Sequence, residues 1–274
     1  MSPAPADHQR LDVALVSRGL ARSRGVAAGL IRSGQVRVDG IPCGKPATSV
    51  AATTVVTLVG PGDRTVGRGA HKLAYAVQEF APRGLVVAGG SCLDVGASTG
   101  GFTQVLLEEG AAHVVALDVG HGQLAASLRS DPRVTTIEGR NIRDVDAGDL
   151  GGPFDVVVAD LSFISLVLVI PAIAAQVRSG GHVVLLVKPQ FEVGREGLGP
   201  DGIVTSASRR RAALERVVTA ADVTGLTPKA LRSSPLRGAH GNQEYLLWGV
   251  SSSMPADSRR VAELVRAVTA DEGS

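Results

Sequence analysis

The sequence predicts an α/β body with a mostly parallel sheet, preceded by a small α+β head. Three observations carry this. From residue 92 onward, short apolar runs alternate with helix-length stretches, the pattern of a sheet covered on both faces. Residues 1–72 hold ten Lys/Arg against four Asp/Glu, and the remainder holds 18 against 22, so a basic head precedes a mildly acidic body. Between them, Pro61-Gly62-Asp63 opens a stretch without apolar periodicity. These place a head over 1–62, a linker over 63–69 and a body over 70–274.

In the head, Leu11, Ala14, Leu15 and Val16 predict a first helix ending near Gly19. Ser23 is placed to cap a second helix carrying Val26, Ala27, Leu30 and Ile31. Val36 to Ile41 alternates and turns at Asp39-Gly40, a hairpin signal, and Val55 to Val59 is a further strand. In the body, strands are expected at Cys92–Val95, His113–Leu117, Val134–Ile137, Phe154–Ala159, His182–Val187 and Glu244–Val250. Helices fit between them at Phe102–Glu109, Gln123–Arg129, Ser165–Val177 and Arg209–Ala221, with another around Val261–Val268. The Glu244–Val250 strand has no helix before it and is expected to be an antiparallel addition.

Hydrophobic residues make up 44% of the 274, but aromatics only 3%, so the cores must be built from Val, Leu, Ala and Ile. Cys43 and Cys92 stand alone, which predicts neither a disulfide framework nor a metal site and points to a reducing cytoplasm. No secretory signal is visible at the start. The longest uncharged run, Leu161 to Val177, contains Ser162, Ser165, Pro171 and Gln176 and falls short of the ~20 apolar residues of a spanning helix. Neither a membrane nor a metal is an expected partner.

Arg18, Arg22, Arg24, Arg32 and Arg37 flank the second helix and the hairpin, and Arg64 and Arg68 follow in the linker. Such a patch suits phosphate contacts. The stretch RLDVALVSRGLARSRGVAAGLIRSGQVRVDG resembles the RNA-binding fold of ribosomal small-subunit protein four.

The first strand–helix turn of the body reads Leu93-Asp94-Val95-Gly96-Ala97-Ser98-Thr99-Gly100-Gly101. Its glycines allow close backbone approach to a ligand at a helix N-terminus. A nicotinamide dinucleotide site would carry glycine where Ser98 stands. Asp94, two positions before Gly96, suits a ligand bearing an ammonium. The loop resembles the S-adenosylmethionine loop of class I, Rossmann-like methyltransferases. Asp118 ends the next strand, where an acid accepts from ribose hydroxyls. Asn141 follows the third strand, placed either for a base edge or for a turn.

Lys188 ends the buried run Val183–Val187 and precedes Pro189. Only four of the 28 basic residues are lysines: Lys45, Lys72, Lys188 and Lys229. Lysine, unlike arginine, can lose its proton when partly buried, so lysine at a strand end in an arginine-rich chain points to chemistry. Asp160 ends the neighbouring strand, where it either caps the next helix or faces the same cleft. GRGAHKL, CLDVGASTGGFT, VADLSFIS, LVKPQFEVG and GNQEYLLW resemble the TlyA family of rRNA 2′-O-methyltransferases, whose catalytic domain is of the FtsJ/RrmJ type. That resemblance implies a Lys–Asp–Lys–Glu tetrad at Lys72, Asp160, Lys188 and Glu244. It implies S-adenosylmethionine bound by Asp94, Gly96, Ala97, Ser98, Thr99, Gly100, Gly101, Asp118, Asn141 and Asp160. It also implies, as partner, ribosomal RNA within ribosomal subunits, with cytidine as the target. The tetrad argues against a silent assembly factor on a methyltransferase fold. Some relatives carry haemolysin names, which the lack of a spanning segment does not support. The glycine-rich loop Phe191–Ile203 is expected to order over an unstacked nucleotide, with Phe163 and Phe191 placed for stacking.

Overall fold

The computed structural model describes residues 8–21, 23–32, 34–58, 65–238, 240–253 and 258–270. The chain forms two compact units, Met1–Arg64 and Thr65–Ser274. The division falls at the stretch expected to be linker. Residues 65–69 associate with the second unit, where the Val66 amide donates to Gln104 Oε1 at 2.8 Å.

The first unit contains β1 (His8–Arg10), α1 (Leu11–Ser17), α2 (Arg24–Arg32), β2 (Val36–Val38), β3 (Ile41–Pro42), β4 (Ser49–Ala51) and β5 (Val56–Leu58). β3-β2-β5 form one antiparallel sheet, and β1 pairs with β4. Leu11, Ala14, Leu15, Ala27, Ile31, Val36, Val50 and Val56 close a small aliphatic core. Ser23 Oγ accepts from the Val26 amide at 3.3 Å, the bond expected of a cap. β1 and β4 escape sequence reading because three residues give no period.

The second unit runs α3 (Gly69–Phe80), β6 (Ser91–Val95), α4 (Gly101–Glu108), β7 (His113–Asp118), α5 (Ala126–Arg129), β8 (Val134–Glu138) and β9 (Phe154–Ala159). It continues through α6 (Leu166–Ala174), β10 (Val177–Val187), α7 (Pro189–Glu192), α8 (Ala207–Val223), β11 (Leu226–Ser233), β12 (Tyr245–Ser251) and α9 (Ser258–Thr269). One seven-stranded sheet has the order β11-β12-β10-β9-β6-β7-β8. β12 is antiparallel to both neighbours, and the pairings from β10 to β8 are parallel. Alternate strand residues serve opposite faces: Leu93, Val157 and Leu185 pack with α6 and α8, while Cys92, Val156 and Val184 pack with α3 and α4.

β10 begins at Val177, which was expected to end a helix, and the α7 turn was not expected; three further elements also differ. α3, where no element was expected, begins at Gly69, the last residue of the expected linker, with Ala70, Leu73, Val77 and Phe80 buried along one stripe. β11 was not foreseen because Pro228 interrupts it; the strand lies at the sheet edge and its register shifts beside Pro228, where proline is tolerated. The helix expected over Gln123–Arg129 is one turn, Ala126–Arg129.

Candidate active site

β6 has β7 on one side and β9 on the other, so the crevice at the carboxyl ends of β6 and β9 is the topological switch point. Gly96 leaves β6 there with φ +86°, and a Cβ on it would lie 2.8 Å from the Asp160 carbonyl oxygen. Only glycine permits both this backbone and this approach of the two loops. Gly100 caps α4, and Gly101 is its first residue. Asp118 ends β7, accepting from the Ser98 amide and the Gly120 amide, each at 2.7 Å. A cavity of about 550 Å³ is bounded by Gly96, Ser98, Asp118, Asn141, Asp160 and Phe163. A smaller one of about 190 Å³ continues along Ala97, Thr99, Gly101 and Lys188. Asn141 lines the cavity, and its Oδ1 accepts from the Arg143 amide in a turn.

Asp94 is fully buried in β6 and is absent from the walls of these cavities. Its Oδ2 accepts from Thr103 Oγ1 at 2.7 Å, while Oδ1 is buried with no hydrogen-bond partner. Burial pushes its pKa up to about 7, with Asp160 and Asp118 adding to the rise against the Thr103 bond. It therefore lies under the loop as a carboxyl poised near neutrality.

The four expected catalytic residues meet at a third cavity, of about 590 Å³. Lys188 follows β10 and Asp160 follows β9, adjacent parallel strands, and Lys188 Nζ lies 2.6 Å from Asp160 Oδ1. The register of the antiparallel pair sets Val187 opposite Tyr245, which brings Glu244, just before β12, to the edge that carries Lys188. Lys72, from the first turn of α3, reaches Glu244 Oε2 at 2.5 Å. Lys72, Lys188 and Glu244 are all buried, so each ammonium has a carboxylate partner in a site withdrawn from water.

Ser162 and Asn242 of this site went unassigned in the sequence. Ser162 Oγ accepts a second bond from Lys188 Nζ at 2.9 Å. Buried Asn242 pins the 199–204 segment, its Oδ1 accepting from the Val204 amide and its Nδ2 donating to the Gly202 carbonyl, each at 2.9 Å. Phe163 is 92% exposed with φ +65°, and its ring lies 5.3 Å from that of Phe191. The Phe191–Ile203 stretch is more built than a plain loop: it contains the end of α7, a 3-10 turn at Arg195–Gly197 and a bond from the Gly199 amide to the Ile203 carbonyl.

Of the basic residues, Arg18 departs from the expected phosphate role. Its guanidinium donates to the carbonyls of Thr54 at 2.6 Å and Ala51 at 2.9 Å, fastening the end of α1 to the β4–β5 turn. Arg24 is exposed and pairs with Asp12, and Arg32 is exposed; Arg37 is half-buried in β2. Arg68 lines the third cavity and donates to the Arg237 carbonyl. Arg22 and Arg64 lie outside the described residues.

Residues 65–250 match the FtsJ-like methyltransferase family, and residues 9–56 match the S4 domain. The 16S/23S rRNA (cytidine-2′-O)-methyltransferase TlyA of Mycobacterium tuberculosis is 52% identical over 89% of this chain and 90% of its own. Hemolysin A of Brachyspira hyodysenteriae is 37% identical over 86% of this chain and 98% of its own. A solved structure of a hemolysin-named protein from Streptococcus thermophilus superimposes with TM-score 0.73, at 38% identity and 98% coverage of both chains. With its S4 domain, its seven-stranded methyltransferase sheet and these relatives, the chain belongs to the TlyA family of FtsJ-like methyltransferases.

Proposed function

We propose that the protein transfers a methyl group from S-adenosylmethionine to the 2′-hydroxyl of a cytidine in ribosomal RNA, within a ribosomal subunit. The observation that carries this is the meeting of Lys72–Glu244 and Lys188–Asp160 in one buried cavity, adjoining the glycine-loop crevice through Asp160 and Ser162. The mycobacterial relative's name describes the same reaction.

The residues present fit the cofactor. The loop from Gly96 to Gly101 and the adjoining cavities would hold it, Asp118 at the ribose hydroxyls and Asn141 at the base edge. Asp94 does not line these cavities; its buried carboxyl, raised to about 7, would ionise more readily with the cofactor's sulfonium or ammonium charge nearby. When bound, S-adenosylmethionine supplies a methyl on a sulfonium, already a good leaving group. The protein's own task is to align the ribose oxygen and help remove its proton. Asp160 and Glu244 hold the two ammoniums in place, and the lysines face the forming alkoxide or take its proton as one coupled set with their partners. Phe163, exposed at the rim, offers an aromatic face to an unstacked base. The S4 domain and the exposed arginines of α2 would hold the RNA backbone.

The direct test is transfer of tritiated methyl from S-adenosylmethionine to unmethylated small and large subunits. Transfer by the wild type is expected, with Lys188→Ala slower by roughly 10²–10⁴-fold. Binding of the cofactor without transfer to either subunit would replace this reading with that of a silent assembly factor.

A further inference from the structure

Glu192 is a buried acid outside the tetrad. It ends α7, the single turn that follows Lys188. Its carboxylate crosses to the other loop of the site, with Oε2 accepting from Ser165 Oγ at 2.6 Å and Oε1 from the Leu166 amide at 2.7 Å. Its own carbonyl accepts from Arg216 of α8. The α6 N-terminus already has a cap, because Ser165 Oγ accepts from the Val167 amide. A buried carboxylate is costly to desolvate, and burial raises the Glu192 pKa against its two hydrogen bonds. Helix capping alone therefore gives little reason for a glutamate from another loop.

The geometry gives a different reason. Asp160 and Ser165 bound one loop, and Lys188 and Glu192 bound the other. At one end the loops are joined by Lys188 with Asp160 and Ser162. At the other they are joined by Glu192 with Ser165 and Leu166. Phe163, in its left-handed backbone conformation, lies between the two ties. We propose that Glu192 is a positioning residue: by clasping the loops at their far end, it fixes where Lys188 and Asp160 meet. This rests on the methyl-transfer reading of the site.

The chain's four lysines make a direct test possible in the full-length protein. Lysine labelled with ¹³C at the ε carbon gives one set of cross-peaks per lysine, assignable by single Lys→Arg variants. In Glu192→Ala the Lys188 signal is expected to shift or broaden while those of Lys45 and Lys229 hold. Its kcat for rRNA methylation is expected to fall ~10–100-fold, the scale of a misplacement near 1 Å, with KM for S-adenosylmethionine little changed. Glu192→Gln can accept from the Leu166 amide and donate to Ser165 Oγ, so it is expected to restore the Lys188 signal and most of kcat. A folded Glu192→Ala with an unaltered Lys188 signal overturns the proposal. If that variant does not fold, Ser165→Ala is read the same way. The spectra need no turnover, so an inactive wild type would count against methyl transfer and leave the lysine signals to decide the positioning role.

Discussion

At the scale of single residues, Asp94 shows how burial prepares a charge. Its carboxyl is raised from an ordinary acid's value to about 7, chiefly by burial. The folded protein thus prefers the protonated form, while the unfolded chain ionises near pH 4. Stability from this group is full below the unfolded pKa and is lost as pH rises from about 4 to 7, then changes no further. Asp94→Asn keeps an oxygen for the Thr103 hydroxyl and removes the titration. Urea unfolding at pH 5 and pH 8 is expected to show the variant gaining on the wild type at the higher pH, by up to about 2.5–3 kcal/mol, the part of the shift that lies between pH 5 and about 7. A constant gap between the two proteins would mean that Asp94 does not titrate in this window. The cofactor's positive charge has the opposite effect, since a cation above the loop favours the carboxylate.

At the scale of elements, the active site depends on how closely α3 approaches α4. A Cβ on Gly101 would lie 2.8 Å from the Ala70 backbone nitrogen, in the turn that carries Lys72. Main chain cannot yield as a flexible side chain does, so Gly101→Ala must push the start of α3 away from α4. The expected cost is about 1–3 kcal/mol in unfolding free energy. Methyl transfer is expected to fall further, by ~10²-fold, because the displaced turn carries Lys72 away from Glu244. Loss of activity only in proportion to unfolded protein would show that α3 accommodates the methyl group without moving Lys72. Sequence patterning conveyed most of the elements around this contact. The alternation from Cys92 to Val187 gave the parallel strands, and the helixless approach to Glu244 gave the reversed strand that brings this residue beside Lys188. α3 was equally legible in the spacing of Ala70, Leu73, Val77 and Phe80, but its glycine-flanked start obscured it. β11 was harder, because an edge strand containing proline breaks the pattern that identifies central strands. Ser162 and Glu192 carry no pattern in sequence; their roles exist only once β9 and β10 lie side by side.

At the scale of the whole molecule, charge is divided between units with different tasks. The lysine–carboxylate pairs belong to the second unit, and the arginines around α2 to the first. Binding to a polyanion through the first unit should therefore vary independently of chemistry in the second. Arg24 and Arg32 are the residues to remove. Asp12, the partner of Arg24, is held down to about 2 first by its bond to Arg10, so losing Arg24 leaves that acid paired. Arg18 is the contrasting case, because its bonds to Thr54 and Ala51 hold the fold, and Arg18→Ala is expected to lower stability. For the Arg24→Ala/Arg32→Ala protein, KM for the ribosomal substrate should rise while kcat at saturating substrate stays that of the wild type. The slope of log KM against log salt should flatten by roughly 0.7–0.9 for each phosphate contact removed. An unchanged slope would place the RNA elsewhere than on α2. A loss of kcat with KM preserved would mean instead that these arginines act on the tetrad.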